Sequence, residues 1–299
     1  MNIEQIYYYA TDKVKLTGLI YKSKEPTKKI LISTHGMVTN CLKKRDETIA
    51  RKLTENNIDH LIYNNRGHDV ITYIYKENEK KERERILSGT AYEDVEEGYN
   101  DILGTIKYVL NKGYEEIYLQ GHSLGATKTL YTYNKLINEE KNIIKNIKAI
   151  ILLSLIDIPT AIKVYLNQDF PHMLTYAKNM ERENLTNILM PEKAFIYPIS
   201  VKTFLKYARD YKNFDFARYS DETYNYEELN NIKIPLFMRW GNDNELILQE
   251  AKDLCNMLKQ KIKNTLLDIN YIDKANHMYT GKEGILAEEI YNFLKKYEV

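Results

Sequence analysis

The sequence predicts an α/β fold, with a mostly parallel central sheet, helices on both faces and a helical insertion. Short apolar runs alternate with amphipathic stretches of helical period over most of the 299 residues. That is the pattern of buried parallel strands and their covering helices. Between residues 159 and 230 the alternation stops. One apolar run, Glu116-Ile117-Tyr118-Leu119, leads straight into Gln120-Gly121-His122-Ser123-Leu124-Gly125-Ala126. A strand, a Gly-x-Ser-x-Gly turn and a helix in that order make a nucleophile elbow, which exposes the Ser123 hydroxyl on a sharp reversal. Gly121 and Gly125 leave room for that reversal, because a Cβ at either would collide with the neighbouring strand or helix.

Ile3 to Tyr9 and Val14 to Tyr21 read as two strands joined at Ala10-Thr11-Asp12, an antiparallel start. Lys29 to Thr34 is a buried strand ending in His35-Gly36-Met37. Asp46 to Glu55 follows as a helix with Ile49, Ala50 and Leu53 on one face. His60 to Asn64 is a strand running out into Asn65-Arg66-Gly67-His68. The run from Lys76 to Arg85 alternates in charge sign and reads as a solvated helix or loop. Thr90 and Glu93 have the spacing of a capping box for a helix that turns Val95, Tyr99, Ile102, Ile106 and Val109 inward and ends at Gly113. After the elbow, Ile147 to Leu155 is an all-apolar strand.

Regularity returns with a strand over Ile234 to Trp240, a helix over Gln249 to Lys261 and a strand over Leu267 to Ile272. Ala275-Asn276-His277 follows, and Thr280-x-x-Glu283 has the spacing to cap a last helix. The expected domains are therefore a core of residues 1–158 and 231–299 with a helical insertion at 159–230. The insertion is rich in Tyr, Phe and Met, among them Tyr165, Phe195, Tyr197 and Tyr211, and is broken by Pro171, Pro191 and Pro198. It is expected over the carboxyl ends of the strands, where open α/β sheets hold their ligands.

Composition narrows the function classes. With 43 Lys+Arg against 42 Asp+Glu, the net charge of +1 gives no electrostatic reason to expect nucleic acid or an anionic membrane as partner. Cys41 and Cys255 stand alone, without metal-ligand spacing, so no metal is expected and a reducing compartment fits. The N-terminus lacks a charged head before an apolar core, and the longest apolar run, Ala149 to Ile156, falls far short of the ~20 residues of a membrane span. A cytoplasmic protein is the expectation.

An elbow serine, a later acid and a late histidine stand in the chain order Ser…Asp/Glu…His. With His35-Gly36, Asn65-Arg66-Gly67-His68, Gly121-His122-Ser123-Leu124-Gly125 and Ala275-Asn276-His277, the chain resembles the α/β-hydrolase superfamily over nearly its whole length. Within it, the likeness is to serine esterases and acyl hydrolases with small helical caps. The resemblance implies a cofactor-independent, carboxylesterase-like serine hydrolase with a catalytic triad. Its substrate would be a small, largely apolar ester or acyl compound.

Ser123 is then the nucleophile and His277 its base. Of the six histidines, only His277 falls in a loop after the final strand, at the same sheet edge as Ser123. The oxyanion hole is expected from the backbone amides of Met37 and Leu124. The acid departs from the family pattern, in which an Asp usually stands three residues beyond the glycine. In Trp240-Gly241-Asn242-Asp243-Asn244-Glu245 that slot holds Asn244. Asp243 is the first choice, Glu245 the alternative with one more methylene of reach, and Asp157 a further candidate. A second reading from another class is a non-catalytic small-molecule-binding protein on the same fold, which the irregular acid turn supports.

Overall fold

The structure is a computed structural model that describes residues 2–80, 82–208 and 215–297. Tyr211 of the insertion and Lys81 of the charged run lie outside the described residues. Eight strands form one sheet: β1 (Asn2–Tyr9), β2 (Lys15–Lys22), β3 (Lys29–Thr34), β4 (Asp59–Asn64), β7 (Glu116–His122), β8 (Ile147–Leu153), β9 (Leu236–Gly241) and β10 (Leu267–Ile272). Their spatial order is β1-β2-β4-β3-β7-β8-β9-β10. Only β2 runs against the rest: it pairs antiparallel with β1 and β4, and every other pairing is parallel.

The central strands are apolar on both faces because helices cover both. On one face Leu31, Tyr118, Ile151, Leu153 and Phe237 pack against Ile49 and Leu53 of α1 (Lys44–Thr54) and against Leu286, Ile290 and Phe293 of α10 (Glu283–Lys296). On the other, Ile32, Leu119, Ile150, Leu152 and Met238 pack against α2 (Gly98–Asn111), α3 (Leu124–Glu139) and α9 (Ala251–Lys261). Each fully buried Leu or Ile contributes roughly 1.5–3 kcal/mol relative to an exposed one.

Between β8 and β9 lie the helices α5 (Ile158–Leu166), α6 (Phe170–Arg182), α7 (Val201–Ala208) and the short α8 (Glu227–Asn230). The remaining helix, α4 (Lys141–Ile144), leads into β8. Among the described residues of the 159–230 stretch, extended pairing is confined to the bridge between Leu189 and Ser200. Ile162, Leu166, Phe204 and Tyr207 join the same hydrophobic cluster as the α3 face of the sheet. A polar lattice adds to this, with the Ser200 amide on the Ala91 carbonyl (2.8 Å) and the Thr203 hydroxyl on that of Glu93 (3.2 Å).

Three local expectations are corrected. The charged run is not a helix: its ends lie in β5 (Thr72–Glu77) and β6 (Arg83–Ser88), and its described middle residues, 78–80 and 82, form the connection between these paired strands. Its register sets Lys76 opposite Glu84 and Glu77 opposite Arg83, so the alternating charges become cross-strand neighbours. Arg85 also lies 3.6 Å over the Tyr73 ring. Thr90 and Glu93 form no capping box. The Thr90 hydroxyl ties the Val38 amide (2.7 Å) to the Gly67 carbonyl (3.0 Å), and Glu93 is buried in an ion pair with Lys128. Asp94 instead caps a turn at Val95–Glu97 before α2 begins. Nor does Thr280 cap α10, which starts at Glu283 without a side-chain cap.

Candidate active site

β7 ends in the elbow because its two glycines are sterically required. A Cβ on Gly121 would stand 2.2 Å from the Gly125 carbonyl oxygen, and one on Gly125 would stand 2.1 Å from that of Thr34. Only bare backbone lets α3 start so close to the ends of β3 and β7. Ser123 therefore adopts φ +56° and ψ −126°, a region costly for a residue with a side chain and observed mostly where function maintains it. Its amide donates to the Leu153 carbonyl at 2.9 Å, which anchors the turn to the next strand. Ser123 Oγ makes no hydrogen bond among the described residues.

The loop after β3 is equally close. A Cβ on Gly36 would lie 2.9 Å from Ser123 Cβ and 3.3 Å from its Oγ. His35 steadies this loop from below: its Nε2 accepts from the Asn65 amide (3.2 Å), so its Nδ1 carries the proton and donates to the Gly36 carbonyl (2.8 Å). Burial lowers the His35 pKa to about 3, so the ring is neutral. Neither the Met37 nor the Leu124 amide has an acceptor among the described residues. Met37 borders the same cavity as Ser123, whereas Leu124 is fully buried at the first turn of α3, where helix amides lack intrahelical partners.

The acid turn differs from the first choice made on sequence. Asp243 is exposed, and its carboxylate accepts from Asn244 Nδ2 at 3.0 Å. Asn244 takes φ +50°, a conformation asparagine tolerates, and the chain then brings Glu245 inward. Glu245 Oε1 pairs with His277 Nδ1. Its Oε2 accepts from the Gly241 amide (2.9 Å) and the Ser154 hydroxyl (2.7 Å). Burial opposes charge on this carboxyl, but the contacts with His277, Gly241 and Ser154 hold its pKa below the usual carboxylate value. The side chain of Glu245 is 3% exposed and that of His277 15%. Asp157 stands elsewhere, capping α5 through the Thr160 amide (3.1 Å).

The other histidines are held elsewhere or turned away from Ser123. His122 is buried, and its Nε2 donates to the His277 carbonyl at 2.8 Å. His60 is buried on the Ser33 hydroxyl (2.6 Å), His68 sits on Asp69 (2.9 Å), and His172 is exposed on α6. Ser123, His277, Met37 and Gly36 line one cavity of about 370 Å³. Its other walls are mainly apolar: Ile158, Ala161 and Tyr165 from α5, Phe195 and Tyr197 from the segment before α7, and Leu246 beside the acid turn. Lys43 is its one lysine among the described residues. Among the described residues there is no cluster of three or more His, Cys, Asp or Glu placed to hold a metal ion, and no helix long and apolar enough to cross a membrane.

Sequence comparison adds nothing here, since no protein-family model and no curated protein sequence matches the chain. Solved structures do match. Est1E from Butyrivibrio proteoclasticus with bound ferulic acid superposes with a TM-score of 0.64 at 15% identity over 98% of each chain. The alpha/beta hydrolase GrgF from Penicillium sp. sh18 gives 0.68 at 14% over 99% of each. This chain has the α/β-hydrolase fold. A soluble variant of monoglyceride lipase from Saccharomyces cerevisiae, in complex with a substrate analogue, shares that fold at a TM-score of 0.67 and 12% identity, over 100% of this chain and 97% of the other. In α/β-hydrolase terms the stretch at 159–230 occupies the sequence interval between β8 and β9 and supplies one wall of the cavity.

Proposed function

We propose that this protein is a serine hydrolase that cleaves a carboxylic ester, or a thioester, of a small and largely apolar substrate. The observation that carries the reading is the pairing of Glu245 with His277 beside Ser123 in an apolar cavity. Two proteins with the same fold, the esterase domain of a Rhodothermus marinus protein and a monoglyceride lipase, support it.

A neutral serine hydroxyl is a weak nucleophile and needs a base within reach. Glu245 on Nδ1 fixes the His277 tautomer that leaves Nε2 free to take the Ser123 proton, and stabilises the imidazolium that results. Ser123 Oγ attacks the carbonyl carbon, and the oxyanion is received by the Met37 and Leu124 amides. One such donor is typically worth ~3 kcal/mol. His277 returns the proton to the leaving alcohol or thiol, and water then repeats the sequence on the acyl-enzyme. An unbonded Ser123 Oγ is ordinary for a free enzyme, where such contacts tighten only with substrate. The apolar walls favour an acyl or alcohol group without fixed charge. The binding-protein alternative rested on the irregular acid turn, and the pairing of Glu245 with His277 there favours the hydrolase reading.

Stopped-flow hydrolysis of short and medium p-nitrophenyl esters is the test. A burst of about one nitrophenolate per site, absent in Ser123→Ala, is the expected result. Equal turnover by wild type and Ser123→Ala would overturn the reading.

A further inference from the structure

We infer that Ser154 and Tyr279 are positioning residues that hold Glu245 in its working orientation. The inference rests on the serine-hydrolase reading for its role in turnover, but its geometric part stands independently.

Glu245 has one more rotatable bond than an aspartate, so its carboxylate has more orientations to lose before it can serve His277. Two donors fix its second oxygen, the Gly241 amide and the Ser154 hydroxyl. The Leu246 amide also donates to Oε1 at 3.0 Å. Ser154 sits just past β8, at 1% exposure, with φ +47°. That left-handed conformation is unusual for a residue with a Cβ, and here it accompanies an Oγ directed at Glu245. The Ser154 amide pins the bend by donating to the Arg239 carbonyl at 2.7 Å.

Proton counting gives the contact a direction. An ionised Glu245 only accepts, so Ser154 spends its single proton there, and its oxygen remains as an acceptor for Tyr279. The Tyr279 hydroxyl lies 3.0 Å from Ser154 Oγ and 2.8 Å from the Arg239 carbonyl. Tyr279 is fully buried, with one proton for those two acceptors. The Tyr279 proton is shared between Ser154 and the shorter contact to Arg239, so the strong links run from Ser154 through Glu245 to His277 and Tyr279 braces Ser154 from behind. Such outer contacts orient a working group as a second layer orients the ligands of a metal.

The test follows the His277 Nδ1 proton by its low-field NMR resonance at low temperature, in wild type, Ser154→Ala and Ser154→Gly. The glycine variant relieves the left-handed Cβ, so it asks the same question should Ser154→Ala fold poorly. The expected result is loss or exchange broadening of the resonance in both variants and partial loss in Tyr279→Phe. With p-nitrophenyl esters, kcat should fall about tenfold with KM nearly unchanged. The acidic limb of the kcat/KM profile should move to lower pH as the imidazolium loses its carboxylate. A folded Ser154→Gly protein that retains both the resonance and the wild-type acidic limb overturns the inference. Absence of turnover in wild type would strike the serine-hydrolase reading alone, because the resonance needs no substrate.

Discussion

The elbow at Gly121–Gly125 and the acid turn at Gly241–Glu245 each deliver one candidate group to the same cavity, but they are built on different principles. At the elbow, backbone sterics fix the geometry: two glycines face carbonyl oxygens at 2.2 and 2.1 Å from where a Cβ would be. At the acid turn Gly241 is also confined, since its Cβ would stand 2.0 Å from the Ala275 carbonyl oxygen. Yet nothing steric selects which of the next four residues carries the acid. Hydrogen bonds from His277, Ser154, Gly241 and Leu246 select Glu245. A group placed by sterics fails through the fold when perturbed. One placed by side-chain contacts fails through chemistry.

The largest effect is expected at the acid turn. Glu245→Ala should lower kcat by roughly 10⁴, the loss seen when a serine protease triad has its acid neutralised. Asp243→Ala should stay within about twofold, as for exposed positions generally. Steady-state ester hydrolysis by both variants checks this. If Asp243→Ala were as impaired as Glu245→Ala, the contacts around Glu245 would not be what selects the acid, and the comparison would break. At the elbow the expected failure is in stability. Gly125→Ala drives a Cβ into the Thr34 carbonyl, and the overpacking should cost about 3 kcal/mol, read as a lower urea midpoint at unchanged slope.

The same contrast explains what was legible in the sequence. Sterics leave a signature at fixed spacing, so Gly121, Ser123 and Gly125 could be read together with the strand before and the helix after them. His277 was legible because position after the last strand and chain order agree. Which carboxylate would pair with His277 was not decided there, Glu245 standing only as the alternative to Asp243, because the residues that contact Glu245 are remote: Ser154 lies 91 positions away and His277 lies 32. The sheet and its helices were legible from periodicity, whereas the capping boxes were not. Thr90 and Glu93 have the right spacing, but tertiary partners at Gly67 and Lys128 hold their side chains instead.

Acid should separate the two regions. His35, in the loop beside the elbow, and His60, deeper in the sheet on Ser33, are buried, and burial lowers the pKa of His60 to about 4 and of His35 to about 3. Unfolded, a histidine titrates near 6.5. Between those values the unfolded chain binds more protons, so stability rises with pH and is lost as pH falls below about 6.5. Glu245, with its pKa lowered from 4.5, stabilises above its unfolded value and loses that contribution only at more acidic pH. At pH 5 His60 and His35 should therefore act while Glu245 does not, each with about 2 kcal/mol. Urea unfolding at pH 7 and pH 5 checks this. The difference between the two pH values should shrink by about that amount in His60→Gln, and an unchanged difference would mean His60 is not held neutral.

The β5–β6 hairpin provides the smallest and sharpest test, because it too is organised by side chains. Its strands carry neither a steric glycine signature nor a continuous apolar face, and its charges make sense only in register, with Lys76 opposite Glu84. Reversing one member should place like charges side by side and reversing both should restore the pair. Lys76→Glu alone is expected to cost about 0.5 kcal/mol. The double variant Lys76→Glu/Glu84→Lys should recover most of it, with a coupling of similar size in the double-mutant cycle. Measured by urea unfolding at low salt, where screening is weakest, that coupling would extend the rule from the acid turn. Where side chains set the geometry, one residue can undo it and its partner can rewrite it. No single second-site change should rescue Gly125→Ala, because the atom it strikes belongs to the backbone.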